Sequence, residues 1–129
     1  VQLETGTTAT DFENLQYGTQ LQLCQRYYAR FNSTSTYTAF GSGMAYTTTA
    51  GQFSIKFPTT MRAAPTLNGA TLAFMDGLVG RAVISIATNF FGTDSGMFQC
   101  GSTGLTQFRP YLLTGNNSTS AYIDLTAEL

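Results

Sequence analysis

The residues able to do chemistry are few, and their spacing excludes more than it proposes. Four aspartates (Asp11, Asp76, Asp94, Asp124) and three glutamates (Glu4, Glu13, Glu128) are the carboxylates of the chain. A glycosidase needs two of them across a cleft, roughly 5–9.5 Å apart. The only closely spaced pair, Asp11 and Glu13, falls in what reads as a lead-in, so polysaccharide hydrolysis is the least favoured of three functional readings. The absence of histidine removes serine/histidine and cysteine/histidine catalysis together with the commonest zinc ligand. Cys24 and Cys100 belong to no CxxC motif, which argues against a zinc or redox site. They read as two buried thiols acting as small hydrophobes, or as a disulfide. Asp76-Gly77 and Asp94-Ser95-Gly96 lack the run of oxygen ligands of a calcium loop and read as turns. The expectation is therefore a non-enzyme with no metal and no cofactor.

Binding chemistry is better supplied. Sugars offer apolar C–H faces and many hydroxyls, so a site for them combines aromatic rings with short amides or acids. Tyr37, Tyr46 and Tyr111 lie near polar, glycine-rich stretches, and Asn89, Asp94, Asn116 and Asn117 lie in or beside turn sequences. These seven are the candidate ligand contacts. Each also has a plain structural reading, since tyrosines are common on sheet faces and asparagines tolerate the positive φ of turns. The sequons Asn32-Ser33-Thr34 and Asn116-Asn117-Ser118 read as polar loop tips.

The elements that must position these residues follow from composition and pattern. The chain has 129 residues, 43% hydrophobic and only 10% charged, with 22 threonines, 17 aromatics and a net charge of -1. That is enough apolar surface for one real core, and too little positive charge for nucleic acid or a polybasic membrane anchor. No apolar run approaches the roughly 18 residues of a membrane helix, and residues 1–10 have no signal-peptide pattern. Residues 1–17 read as a lead-in from a preceding domain or linker, and 18–129 as the folded domain. Leu21, Cys24, Tyr28 and Phe31 recur at helical spacing, which suggests a short helix from Gly18 to about Tyr28, while Leu21, Leu23 and Gln25 also fit a strand's alternation.

The rest alternates like strands. Phe53, Ile55 and Phe57 share one face of a strand that Pro58 ends. Further strands are expected at 71–75 and 82–88, with Asn68-Gly69 as a turn before the first and Asp76-Gly77 with Gly80 as a hairpin between them. Others are expected near 27–31, 36–47, 97–100, 105–113 and 120–125. Such short strands predict an all-β, antiparallel sandwich of jelly-roll type. Lysine and glutamate normally protect strand edges, yet Lys56 is the only lysine. The chain is therefore expected to cover part of its apolar surface with copies of itself.

Several segments also resemble a known family. Val1-Gln2-Leu3-Glu4-Thr5-Gly6-Thr7-Thr8-Ala9-Thr10-Asp11-Phe12-Glu13 resembles the VQLE-x-G-x-x-AT-x-FE strand that ends jelly-roll domains in many bacteriophage tail proteins. Leu23-Cys24-Gln25-Arg26-Tyr27-Tyr28 is similar to the LCQRYY element opening the C-terminal domain of phage tail fibres and virion spikes. Phe57-Pro58-Thr59-Thr60-Met61-Arg62-Ala63-Ala64-Pro65-Thr66 and the closing Ala127-Glu128-Leu129 resemble that family's FP-x-x-MR-x-x-P-T and AEL elements. Together they span about a quarter of the chain, and residues 81–120 carry no such likeness.

The resemblance implies a homotrimeric, β-structured fibre tip in the virion. It would be made in the bacterial cytoplasm and act outside it, attaching to host-surface glycan or an outer-membrane protein and joining other virion proteins. The alternative is a capsid decoration or spike protein that stabilises the particle. Arg26 and Arg62 lie beside apolar residues, as guanidinium groups do when the stem packs and the fork is paired. Glu13, Asp124 and Glu128 are the candidate scaffold partners, with ligand binding as the other role. Pro58 and Pro65 predict an ordered, extended connection over 57–65.

Overall fold

The computed structural model describes residues 16–128. The lead-in reading and the pairing proposed for Glu13 lie outside these residues. The chain adopts the all-β, antiparallel, sandwich-like fold expected of it. One short helix, α1 (Tyr17–Gln25), precedes ten strands: β1 (Tyr28–Asn32), β2 (Ala39–Ala45), β3 (Ala50–Lys56), β4 (Thr66–Ala70), β5 (Leu72–Met75), β6 (Gly80–Ala82), β7 (Ser85–Phe91), β8 (Ser95–Gly101), β9 (Pro110–Gly115) and β10 (Tyr122–Thr126). They form a three-stranded sheet, β1-β10-β4, and a seven-stranded sheet, β6-β5-β9-β2-β3-β8-β7. The two sheets share one core. No described helix is long and apolar enough to cross a membrane.

The larger sheet is rolled shut. Its outermost members, β6 and β7, are successive stretches of one segment separated only by Val83 and Ile84. The Val83 N–H donates to Leu72 O at 2.9 Å on one side, and the Ile84 N–H to Gly101 O at 2.9 Å on the other. The buried Ser102 hydroxyl donates to Ala82 O at 2.8 Å, fixing the seam. This segment was expected as a single strand opposite 71–75. It divides because its first half pairs with β5 and its second with β8. The two ends of the sheet are thereby joined at one seam, through Val83, Ile84 and Ser102.

Inside, rings and small residues alternate. Phe53 lies 5.0 Å from Phe74 and 6.0 Å from Phe98, and Phe74 meets Tyr111 edge to face at 5.7 Å. Room for them comes from the glycines opposite. A methyl group on Gly43 would lie 1.9 Å from the backbone oxygen of Gln52, and one on Gly51 would lie 2.5 Å from the Phe74 ring. Tyr111 therefore belongs to the core, 2% exposed, and its place among the ligand candidates is corrected. Its apolar ring is worth more there than on a loop.

The missed strand is β4. Asn68-Gly69, expected as a turn, lies within it, with Asn68 and Gly69 opposite Asp124 and Ile123. Glycine suits that place because a Cβ there would press on Tyr122 O, Leu72 and Ile86 at 3.0–3.2 Å. The reversal falls instead on Thr71, at φ 58°.

Helix α1 is also shorter than predicted, and none of its residues is buried. Of the spacing that suggested a helix, Leu21, Cys24 and Tyr28 are exposed, and Phe31, in β1, packs against the core. Cys24 is exposed and only Cys100 is buried, both as free thiols. Arg26 and Arg62 form no ion pair among the described residues. Asp124, a proposed partner, is held by Arg30 at 3.3 Å and accepts from the Tyr28 hydroxyl at 2.9 Å. Arg62 instead lies over the Tyr27 ring at 5.5 Å, a cation–π contact. Its N–H donates to Arg26 O at 2.8 Å, anchoring the 57–65 connection.

Candidate functional site

Pairing register assigns every loop to an end of the rolled sheet. Ala39 lies opposite Thr114, Leu72 opposite Gly115, and Lys56 opposite Ser95. The connections from β1 to β2, β3 to β4, β4 to β5 and β9 to β10 thus all cross at one end. The three-stranded sheet sits there as a cap, with Ala29, Ile123 and Leu125 turned into the shared core. The other end is spanned by three loops: 46–49, 76–79 and 102–109. This open end gathers the positive φ of Phe108, the Asp76 ion pairs and the exposed Leu78 and Phe108 side chains.

Each loop is held by polar ties. In 46–49, the Thr47 Oγ1 accepts from the Ala50 N–H at 2.9 Å and the Thr49 N–H at 3.2 Å. In 76–79, Asp76 Oδ1 accepts from the Leu78 and Val79 N–H groups, both at 3.0 Å. Gly77 takes φ 90°, a conformation that favours glycine. This is the hairpin that Asp76-Gly77 predicted. Across to 102–109, Asp76 Oδ2 meets Arg109 Nη2 at 3.4 Å and Arg81 Nη1 at 3.7 Å. The donors on Val79 and Leu78, joined by the Arg109 and Arg81 charges, hold the Asp76 carboxyl below its ordinary 3.8 against its partial desolvation.

The long loop is stitched to the rest. Its anchor is buried Leu105, whose N–H donates to Thr48 O at 3.0 Å. The Thr106 N–H donates to the Tyr111 hydroxyl at 3.1 Å, and Gln107 Nε2 to Tyr46 O at 3.0 Å. Between these ties stands Phe108. Its N–H donates to Ala45 O at 2.7 Å, its φ is 62°, and its ring is 69% exposed. A bulky residue in the left-handed region costs on the order of 1–2 kcal/mol, and here no burial of the ring offsets it. Leu78, 83% exposed, and Val79 stand on the hairpin that Asp76 joins to this loop.

Beside this end, the outer sheet face is grooved. One hollow of about 280 Å³ runs between Gly77, Met75, Pro110 and Leu112. A second of about 540 Å³, sharing Ser42, Gly43 and Pro110, adds Met44, Gln52, Ser54 and Met97. Methionine and leucine make these hollows apolar and adaptable.

The sequence-predicted contacts do not converge. Tyr37 and the pair Asn116 and Asn117 come together at the capped end, where the Ser118 N–H donates to Thr36 O at 3.1 Å and Asn117 takes φ 49°. Asp94, in the turn between β7 and β8, accepts from the Thr60 hydroxyl at 2.6 Å. Asn89 occupies a bulge in β7, 3.5 Å from the Gln99 side-chain oxygen. Tyr46 belongs to the open end, as does buried Tyr111 through its hydroxyl. Phe108, Gln107 and Arg109 were hidden inside an expected strand over 105–113. The usable signal was Arg109-Pro110, because proline opens β9 and restricts the residue before it. No three of His, Cys, Asp and Glu meet as a metal site among the described residues.

Comparison with protein-family models, with curated proteins and with solved structures finds no match.

Proposed function

We propose that this domain is a non-catalytic attachment module at the tip of a bacteriophage tail fibre. In this reading it works as a homotrimer and presents its open end to host-surface glycan or an outer-membrane receptor. The observation that carries the reading is Phe108, an unburied ring on a strained backbone, held by loops tied to one another. Strain of this kind persists where surrounding structure imposes it, and clusters at ligand sites. The chemistry suits a saccharide: a ring face for C–H groups, with Gln107 and Arg109 on the same loop to hydrogen-bond hydroxyl groups. The LCQRYY-like and MRAAPT segments support the fibre assignment. Three weak sites engaged together would hold far more strongly than one.

The test is to incubate purified protein with intact bacteria of several strains and with their extracted polysaccharide. Retention on cells or polysaccharide with unchanged polymer length supports attachment. Shortened polymer would replace it with a hydrolase. Tight binding only to capsid or baseplate protein would replace it with a particle-stabilising role.

A further inference from the structure

The charges of the open end do not balance. Loops 46–49, 76–79 and 102–109 and strand β6 hold two arginines, Arg81 and Arg109, against one acid, Asp76. The excess is positive in a chain whose net charge is -1. Nor does Asp76 satisfy both guanidinium groups. Its Oδ1 is spent on the Leu78 and Val79 N–H groups, which leaves Oδ2 as the shared partner, 3.4 Å from Arg109 Nη2 and 3.7 Å from Arg81 Nη1. Both distances exceed the roughly 2.7–2.9 Å of a charge-assisted hydrogen bond. Arg81 Nη1 is buried without a hydrogen-bond partner, a costly arrangement that native proteins rarely keep without a use. The long loop passes close over this side chain: at Gly104, φ 71°, a methyl group would lie 3.5 Å from Arg81 Nε.

We infer that the open end takes an acidic saccharide, with Arg109 as the fork that meets its carboxylate or phosphate and Arg81 behind it as the second positive charge. Exposure divides the roles, since 42% of the Arg109 side chain is accessible against 27% for Arg81 and 4% for Asp76. A planar guanidinium offers a carboxylate or phosphate two parallel hydrogen bonds. Asp76 is the positioning residue: its buried carboxylate keeps both arginines at the loop junction and cancels only one of their charges. Room lies alongside, because the hollow of about 280 Å³ is bordered by Asp76 and by Pro110, the residue after Arg109. Phe108 is the residue before it, so ring and charge stand side by side on one loop. Resting on the reading of the open end as an attachment face, this assignment names the class of saccharide it takes.

The test uses three immobilised probes with one backbone: dextran, carboxymethyl dextran and phosphorylated dextran. At low salt, at least one acidic form is expected to hold the wild-type chain about tenfold more tightly than dextran does. Arg109→Gln is expected to weaken that binding by about tenfold or more. Asp76→Asn keeps an acceptor for the Leu78 and Val79 N–H groups and removes the negative charge, so it is expected to tighten binding severalfold, a gain that a folding defect cannot imitate. Lys56→Gln removes one positive charge at the capped end and is expected to change binding by less than about twofold. Retention on the carboxymethyl form assigns the charge to a carboxylate, and retention on the phosphorylated form to a phosphate; either supports the assignment. Equal retention on dextran and its acidic forms, no retention on either acidic form, or equal losses in Arg109→Gln and Lys56→Gln would overturn it. Adsorption to bacteria that Arg109→Gln leaves intact would overturn the acidic-saccharide assignment alone, whereas a wild type that adsorbs to no strain would overturn the attachment reading.

Discussion

The two ends of the rolled sheet solve the same closure problem with opposite materials. At the capped end, a second sheet lays Ile123, Leu125 and Ala29 over the core, and Phe57 and Met61 complete the cover. At the open end, three loops close the sheet through hydrogen bonds and the Asp76, Arg81 and Arg109 cluster, while Leu78 and Phe108 stay in solvent. The capped end is held by apolar burial, which is tolerant of surface change but not of core change. The open end is held by directed polar contacts, so its exposed side chains can vary at little cost in stability. That is the division of labour expected between a scaffold and a recognition surface.

The largest effect should come from the cap. Leu125→Ala leaves a cavity under the three-stranded sheet and is expected to cost about 2–5 kcal/mol in denaturant unfolding. If it does not, the cap is not what stabilises the fold. Next is Tyr111→Phe, which keeps the ring but removes the acceptor for the Thr106 N–H. It is expected to cost about 1 kcal/mol and to speed amide exchange in 102–109 more than in β10. Phe108→Gly should move stability the other way, raising it by up to about 1 kcal/mol by relieving the left-handed conformation. A loss of stability there would mean that the ring is supporting structure.

The smallest effect is that of pH. Asp76 has a folded-state value below its ordinary one. Its contribution is fully present above about 3.8 and is lost as pH falls through the lower folded value. Acidification through that window should therefore destabilise the wild type, and Asp76→Ala should remove this part of the pH dependence.

The sequence made some of this legible and hid the rest for physical reasons. Period-two alternation found β3, and Asp76-Gly77 found its hairpin, because both signals are local. The roll of the larger sheet was not legible, since β6 and β7 read as one continuous strand and only non-local partners divide it. Asn68-Gly69 misled because its turn chemistry was outweighed by close packing against Tyr122 and Ile86. The candidate site was only partly legible. Turn asparagines and tyrosines marked the loops of both ends alike, and Tyr111 was taken into the core. Phe108 lay within the strand expected over 105–113, and nothing in the local sequence Thr-Gln-Phe-Arg-Pro signals its positive φ.

The central claim is that the open end is the working face, and one substitution tests it most directly. Phe108→Ala removes an exposed ring and should change unfolding free energy by no more than about 0.5 kcal/mol. Fluorescently labelled wild-type protein is predicted to adsorb to at least one strain in a bacterial panel, and Phe108→Ala to lose that adsorption while melting as the wild type does. Equal adsorption by the two proteins would contradict the account.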